Sequence, residues 1–271
     1  MPSMQSLVCK LSKEIEMNKF TIGCDPEIFL VDENHKFKSV IGLLGGDKWI
    51  PRMLSKDGHA CLEDNVAVEF NIPPCSSFED FKREVQATME MVKGILPTNL
   101  HYDQSSAVSF PDDELACEKA WVFGCEPDYN AWTMEENPKP HSDDKNLRSA
   151  GGHIHVGSAL AVTDPVAVVR AMALCLGVPS VTLDSGTLRR QLYGKAGAMR
   201  PKPYGVEYRT LSNFWIFSDN LINWAYTGTQ RALDFVHSGK ELPAEHGELI
   251  QECINNNNKD AYNKLHQLYA V

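Results

Sequence analysis

The sequence predicts an α+β fold, and three observations carry that expectation. Residues 19–75 hold short apolar runs broken by turn residues, the pattern of strands. The last third of the chain instead repeats apolar residues at helical spacing. Across both parts, four short runs carry polar side chains at positions i and i+2: Asp25 and Glu27, Glu69 and Asn71, His153 and His155, Glu207 and Arg209. In a β-strand, residues two apart face the same side, so each run turns its polar pair one way and its apolar neighbours the other.

Each element follows from local signals. Phe20-Thr21-Ile22-Gly23 leads into the first polar pair as a strand, Phe29-Leu30-Val31 continues it, and Asp32 to Lys36 forms a hairpin turn. Gly45-Gly46-Asp47 and Lys56-Asp57-Gly58 are further turns, and Pro73-Pro74 closes the strand that carries Glu69. A helix comes next: Ser76 or Ser77 caps it, and Glu79 and Asp80 suit its first turn. Phe78, Phe81, Val85, Met89, Val92 and Leu96 make its apolar stripe, which Pro97 terminates. Residues 98–150 are less regular. Trp121 to Asp128 echoes the earlier Gly-Cys-Asp-Pro-Glu and reads as a related strand end; 129–149 read as a long loop, the kind that forms lids and binding loops. Asp128, Tyr129 and Trp132 are candidate contacts there with an amino-acid-like substrate. After the histidine strand, Asp164-Pro165 starts a helix that runs to Gly177, a second is expected from Ser180 towards Tyr193, and a third begins near Ser218 or Asp219. Amphipathic stretches at 241–254 and 259–269 end the chain. With no convincing linker, 1–271 reads as one catalytic domain, with a core over about 20–235 and a helical segment over 236–271.

At 271 residues and 43% hydrophobic, the chain can bury a sizeable core. Its formal net charge of −10 argues against a nucleic-acid or anionic-membrane surface. The eight cysteines include no C-x-x-C pair and read as reduced, buried, small hydrophobes of a cytoplasmic protein. Met1 to Asn18 mixes charged and apolar residues and lacks a secretory signal's apolar stretch, and no apolar run is expected to reach bilayer-spanning length.

Carboxylates gathered on one sheet face would repel each other and resist ionisation unless cations lay between them, so such a face makes sense mainly as a metal site. Asp25, Glu27, Glu69 and Glu207 favour hard, oxygen-preferring ions such as Mg²⁺ or Mn²⁺, with one imidazole at most in a site. His153 and His155 follow two glycines that permit close backbone approach. A second feature is a local charge reversal. Arg189, Arg190, Lys195, Arg200, Lys202 and Arg209 are interleaved with glycines and interrupted by a single acid, Glu207. Guanidinium groups bind phosphate oxygens bidentately, so the cluster suits a polyphosphate clamp. Divalent ions beside such a clamp describe phosphoryl transfer from a nucleotide, where positioning and charge neutralisation supply most of the catalysis. No P-loop signature or serine-hydrolase elbow occurs.

Gly151-Gly152-His153-Ile154-His155 resembles the glycine-rich M-H-x-H segment of glutamine synthetase, Val206-Glu207-Tyr208-Arg209 its late E-x-R strand, and Asp25-Pro26-Glu27 its early E-x-E pair, in the same order. Arg200 to Trp215 resembles the phage-encoded carboxylate–amine (COOH–NH2) ligases of type 2, within the glutamine synthetase and γ-glutamylcysteine ligase superfamily. The resemblance covers about residues 20–235. It implies a curved, mainly antiparallel sheet with helices on its outer face, the catalytic half of a glutamine synthetase without the separate N-terminal domain. It also implies an ATP- and Mg²⁺-dependent ligase, with Mn²⁺ as a substitute, that joins small-molecule or peptide carboxylates to amines through an acyl phosphate in the (host) cytoplasm, with homo-oligomers common among relatives. Glu27, Glu69 and Asp64 would hold one ion, and Asp25, His153 and Glu207 the other. His155 and Arg209 would contact the transferred phosphoryl group, while Arg189, Arg190, Arg200 and Lys202 face the nucleotide phosphates. Two departures stand out: Asp25 is one methylene shorter than the synthetase glutamate, and the Asp64–Glu69 spacing differs from that family's middle pair. The rival readings are a zinc-dependent hydrolase using His153 and His155 with one carboxylate, and a nucleotide- or peptide-binding relative without catalysis.

Overall fold

The computed structural model describes residues 19–122 and 127–271. Part of the expected strand end at 121–128, and the segment Met1 to Asn18, lie outside them. Strands β1 (Thr21–Cys24) and β2 (Glu27–Val31) form the spine, and the link between them, Asp25-Pro26, divides the sheet. Proline lacks the N–H that a continuous ladder would need. β1 therefore belongs to one sheet and β2 to another. The first sheet has the order β1, β11 (Ile154–Gly157), β13 (Gly205–Tyr208), β12 (Ala198–Lys202), β9 (Tyr129–Asn130). In the second, β3 (Phe37–Lys38), β2, β6 (Ala67–Asn71), β5 (Ala60–Asp64) and β4 (Arg52–Met53) lie side by side, and β7 (His101–Asp103) also pairs with β2. A third, small sheet joins β8 (Ala107–Ser109) to β10 (Leu147–Ser149). Strand pairing is antiparallel throughout. The expected single curved sheet is thus corrected to curled antiparallel sheets that meet at one proline.

Helices cover the apolar faces of these sheets. α1 (Phe78–Lys93) starts at Ser77, whose hydroxyl accepts the Asp80 N–H at 3.1 Å, and buries Phe81, Val85 and Val92 at the expected spacing. Trp215 stacks on Phe81, with ring centroids 5.7 Å apart. A short helix at Ala159–Thr163 (α2) precedes α3 (Pro165–Met172), a single π turn at Ala173–Gly177 and α4 (Val178–Leu183). Contrary to the expectation that no segment nears spanning length, Pro165–Leu183 forms 19 residues of helix with a mean hydropathy of 1.9; two thirds of it is buried inside the fold.

The helix expected from Ser180 to Tyr193 is instead two, α4 and α5 (Thr187–Leu192). Asp184 accepts the Gly186 N–H at 2.7 Å, an aspartate turn that competes with the helix. α6 (Asp219–His237) begins at its Ser218 cap, and α7 (Ala244–Asn255) and α8 (Lys259–Tyr269) close the chain. Of the described cysteines, Cys24, Cys61, Cys75, Cys175 and Cys253 are free and buried as expected, whereas Cys117 is free and exposed.

The glycine pair ahead of the histidines lets two backbones meet. Gly152 N–H donates to Leu211 O at 2.9 Å and its carbonyl accepts the Trp215 indole N–H at 3.0 Å. A Cβ there would lie 2.3 Å from Ser212 O.

Candidate active site

Six ionisable side chains gather where the two large sheets meet, in two groups. Asp25, His153 and Glu207 present ligand atoms within 4.8 Å of one another, and so do Glu27, Asp64 and Glu69. Register explains the convergence. Glu27 stands opposite Glu69 across β2 and β6, and Leu62 stands opposite Glu69 across β5 and β6, which brings Asp64 to the same end. On the other side His155 stands opposite Glu207 across β11 and β13, and Arg200 opposite Glu207 across β12 and β13. Gly151 ties the halves together: its N–H donates to Glu27 Oε2 at 2.7 Å, and its carbonyl accepts the Glu27 N–H at 2.8 Å.

The two groups differ in charge balance. In the first, His153 Nδ1 lies 3.2 Å from Asp25 Oδ1 and 3.6 Å from Glu207 Oε1, and His155 Nε2 lies 3.1 Å from Asp25 Oδ2. Burial would push the Asp25 carboxyl up, but His155 and His153 pull it well below the usual range. Glu207 is fully buried, and burial and Asp25 push it up. Arg209 and the two histidines outweigh them and hold it at about 2. Arg209 pairs directly with Glu207, Arg200 NH1 lies 3.2 Å from Glu207 Oε2, and Lys202 Nζ 3.0 Å from it. His153, buried beside Arg209, is pushed down to about 4 and stays neutral; His155 is raised, because Asp25 overcomes its burial.

The second group contains only carboxylates. Burial and the Asp64 charge push Glu27 up to about 8, and Asp64 is raised chiefly by burial. Glu69 is raised well above the ordinary value by burial and by Asp25, Asp64, Glu27 and Glu207 together. All three side chains are nevertheless half-buried rather than sealed off. These carboxyl groups resist ionisation where they stand, and a divalent cation between them would relieve that resistance.

The fit to hard cations rests on these donors. Three half-buried carboxylates whose oxygens share one small space match an oxygen-seeking ion, and two carboxylates with one neutral imidazole match a second. Asp25 Oδ1 is buried, and its near neighbour, His153 Nδ1 at 3.2 Å, does not meet it in hydrogen-bonding geometry. His155 lies outside both groups, so among the described residues His153 shares its ligand set with carboxylates rather than with a second histidine.

The basic residues divide. Arg200, Lys202 and Arg209 converge on Glu207. Arg189 lies beneath the site, buried, with NH2 3.4 Å from His153 Nε2 and NH1 donating to Thr210 O at 3.0 Å; burial lowers its guanidinium to about 10. Arg190 is not brought to the cluster. It is 3% exposed and bonds Ser180 O at 2.9 Å, Asp184 Oδ2 at 3.1 Å and Asn257 Oδ1 at 3.1 Å, tying α5 to the helices behind the sheet. Adjacent helical residues point in different directions, so Arg189 and Arg190 could not both face one site.

Of the three loop residues singled out, Asp128 reaches the site, with Oδ2 3.4 Å from Arg209 Nε. Tyr129 is partly exposed in β9. Trp132 is a packing residue: the Arg170 guanidinium lies over its ring at 5.2 Å, and Gly197 and Gly247 leave room for it. Tyr204 has no role in the sequence reading, yet its hydroxyl bonds His155 Nδ1 and its ring stacks on the imidazole. The only sequence signal for it is its place in the turn between two polar strands.

Residues 145–260 match the family model described as phage phiEco32-like COOH.NH2 ligase-type 2, the family that the motifs resemble. No curated protein matches the sequence. Among solved structures, the chain resembles a bifunctional glutathione synthetase from Pasteurella multocida, with a TM-score of 0.51 at 11% identity. The match covers 94% of this chain and 42% of that one, so this chain spans less than half of its neighbour's length. At that identity the likeness is one of fold.

Proposed function

We propose that the chain is an ATP-dependent carboxylate–amine ligase using two divalent ions, Mg²⁺ or Mn²⁺, and working through an acyl phosphate. The observation that carries this reading is the meeting of two acidic groups with a basic cluster at one sheet junction. The family match over residues 145–260, which includes the basic strands and Glu207, supports it independently. In this reading residues 1–271 act as one catalytic unit.

Glu27, Asp64 and Glu69 would hold one ion and Asp25, His153 and Glu207 the other. When bound, the ions neutralise phosphate charge and align the reacting oxygens. The side chains do the rest. Arg200 and Lys202, now paired with Glu207, turn towards the nucleotide phosphates. Arg209 and His155 meet the γ-phosphoryl group as a carboxylate oxygen attacks its phosphorus and ADP departs. Asp25 and Tyr204 fix the two His155 nitrogens and so hold the ring's orientation. Arg189, buried and bonded to Thr210 O, keeps His153 from turning. The amine then attacks the acyl carbon, phosphate leaves, and the amine's surplus proton passes to water. Asp128, held by Arg209 at the site's edge, is placed to receive a cationic amine.

A screen for ADP formation against pools of amino acids, polyamines and short peptides, with Mg²⁺ or Mn²⁺, tests the proposal. Acceptor-dependent ADP release that disappears with a chelator supports it. Tightly held zinc with no nucleotide-induced thermal shift would overturn it.

A further inference from the structure

Asp64 is flanked by two residues that each hold a loop. Glu63 Oε1 accepts three backbone N–H groups, from Gly42 at 2.9 Å, Leu44 at 3.0 Å and Gly45 at 2.8 Å. Asn65, on the other side, donates its side-chain amide to Ala120 O at 2.9 Å and to Lys119 O and Val122 O at 3.3 Å. Both loops display large apolar side chains to solvent: Trp49 is 79% exposed, Ile50 75%, Val122 61% and Trp121 42%. The first loop is built to do so. Gly45 and Gly46 adopt left-handed backbone, with φ of 66° and 78°, and Asp47 Oδ1 accepts the Trp49 and Ile50 N–H groups at 2.8 and 2.9 Å. An ordered turn that holds a tryptophan and an isoleucine out of the core marks an interaction site rather than a packing failure.

The surroundings narrow what lands there. Met53, on edge strand β4 and 60% exposed, extends the patch along the sheet. Lys48 lies over the Trp49 ring at 5.6 Å, and the segment 47–57 carries three basic residues, Lys48, Arg52 and Lys56, against two acids, Asp47 and Asp57, a small positive excess in a chain whose net charge is −10. Under the ligase reading, the phosphates belong with Arg200, Lys202 and Arg209 beside Glu207, which leaves the Asp64 end for the acceptor. We infer that the carboxylate substrate is an extended polypeptide whose apolar side chains dock on Trp49, Ile50 and Met53, whose acidic side chains meet the neighbouring Lys48, Arg52 and Lys56, and whose carboxyl group enters beside Asp64. This rests on the ligase reading for the reaction, not for the docking. A free amino acid would cover neither side chain, whereas a polypeptide laid along an edge strand covers both.

Trp49→Ala with Ile50→Ser tests the inference, because both positions are exposed and make no core contact that folding requires. An array of synthetic peptides with free C-terminal carboxyl groups is probed with wild-type and variant protein, and ADP release is measured on the peptides that bind and on free amino acids. The expected result is a loss of peptide binding by roughly tenfold or more in the variant, a matching rise in KM for peptide with kcat held, and unchanged ATP-analogue affinity. Peptide binding that the variant retains, no binding at all, or turnover confined to free amino acids overturns the inference and leaves the ligase standing. A fall in ATP-analogue affinity also overturns it and assigns Trp49 to the nucleobase. Binding that needs Trp49, with no ADP release from any acceptor, supports the docking surface and sinks the ligase reading instead.

Discussion

Asp25 and Glu27 lie two residues apart in sequence, yet their carboxylates serve different groups: Asp25 joins His153 and Glu207, and Glu27 joins Asp64 and Glu69. Pro26 between them ends one sheet and admits the next, and its carbonyl accepts the Phe70 N–H at 3.3 Å. Two acidic groups thus share one rigid hinge point, and the proposed chemistry needs both.

Glu207→Gln keeps shape and removes the charge that Arg200, Lys202 and Arg209 converge on. Turnover should fall by about two to three orders of magnitude, the range seen when a preorganised electrostatic partner is removed. An ADP-release assay reads this, and an unchanged circular dichroism spectrum shows that the fold survives. Full ligation by the variant would remove Glu207 from the site.

Asp64→Asn should separate stability from function. In the metal-free protein it relieves repulsion among Glu27, Asp64 and Glu69, so thermal unfolding should rise by a few degrees, about 1 kcal/mol. Its Tm should then respond to Mn²⁺ less than the wild type's does. Differential scanning fluorimetry with and without Mn²⁺ measures both, and an unaltered metal response would exclude Asp64 as a ligand.

The same repulsion gives stability a sign with pH. Glu27, raised to about 8, keeps its proton in the folded metal-free protein at neutral pH and loses it on unfolding. The unfolded state then binds fewer protons, so stability falls as pH rises towards 8. His155, raised by Asp25, acts in the same direction. His153 acts oppositely, but only between its folded value of about 4 and its ordinary value of 6.5. Between pH 6.5 and 8 the metal-free Tm should therefore decline, by about 2–4 °C per pH unit for each proton released, and Mg²⁺ should flatten the decline. A Tm that climbs over this window would contradict the assignment.

Arg190 and Arg200 make a contrast within the basic cluster. Arg190→Met breaks a buried pair with Asp184, which costs about 3–5 kcal/mol, and should lower Tm without changing the KM for ATP of the protein that remains folded. Arg200→Met should raise that KM with little change in Tm. Reversal of the pattern would return Arg190 to the phosphate site.

Much of the site was legible because strand periodicity of two and register act together. Once Glu69, His155 and Glu207 are assigned to strands, their faces follow, and only the order of strands is missing; His153 lies one residue before its strand. The helix starts were legible to within one residue for a similar reason, because the side chain that caps a helix is local: of Ser76 or Ser77, and of Ser218 or Asp219, the structure selects Ser77 and Ser218. What stayed hidden depends on long-range partners. Nothing near Asp25-Pro26 says that the next strand pairs in another sheet, and nothing near Arg190 says that Asp184, Ser180 and Asn257 will claim its guanidinium. The break at Asp184 has a local signal, an aspartate and a glycine two residues apart in a helical stretch.

The tethers at Glu63 and Asn65 have a mechanical consequence. The 42–45 turn is joined by three amide hydrogen bonds to Glu63, the residue next to Asp64, so a chain segment docked on the 42–53 loop would bear on the stretch of backbone that carries Asp64. Under the docking inference, the landing surface and the acid beside it therefore rest on one support.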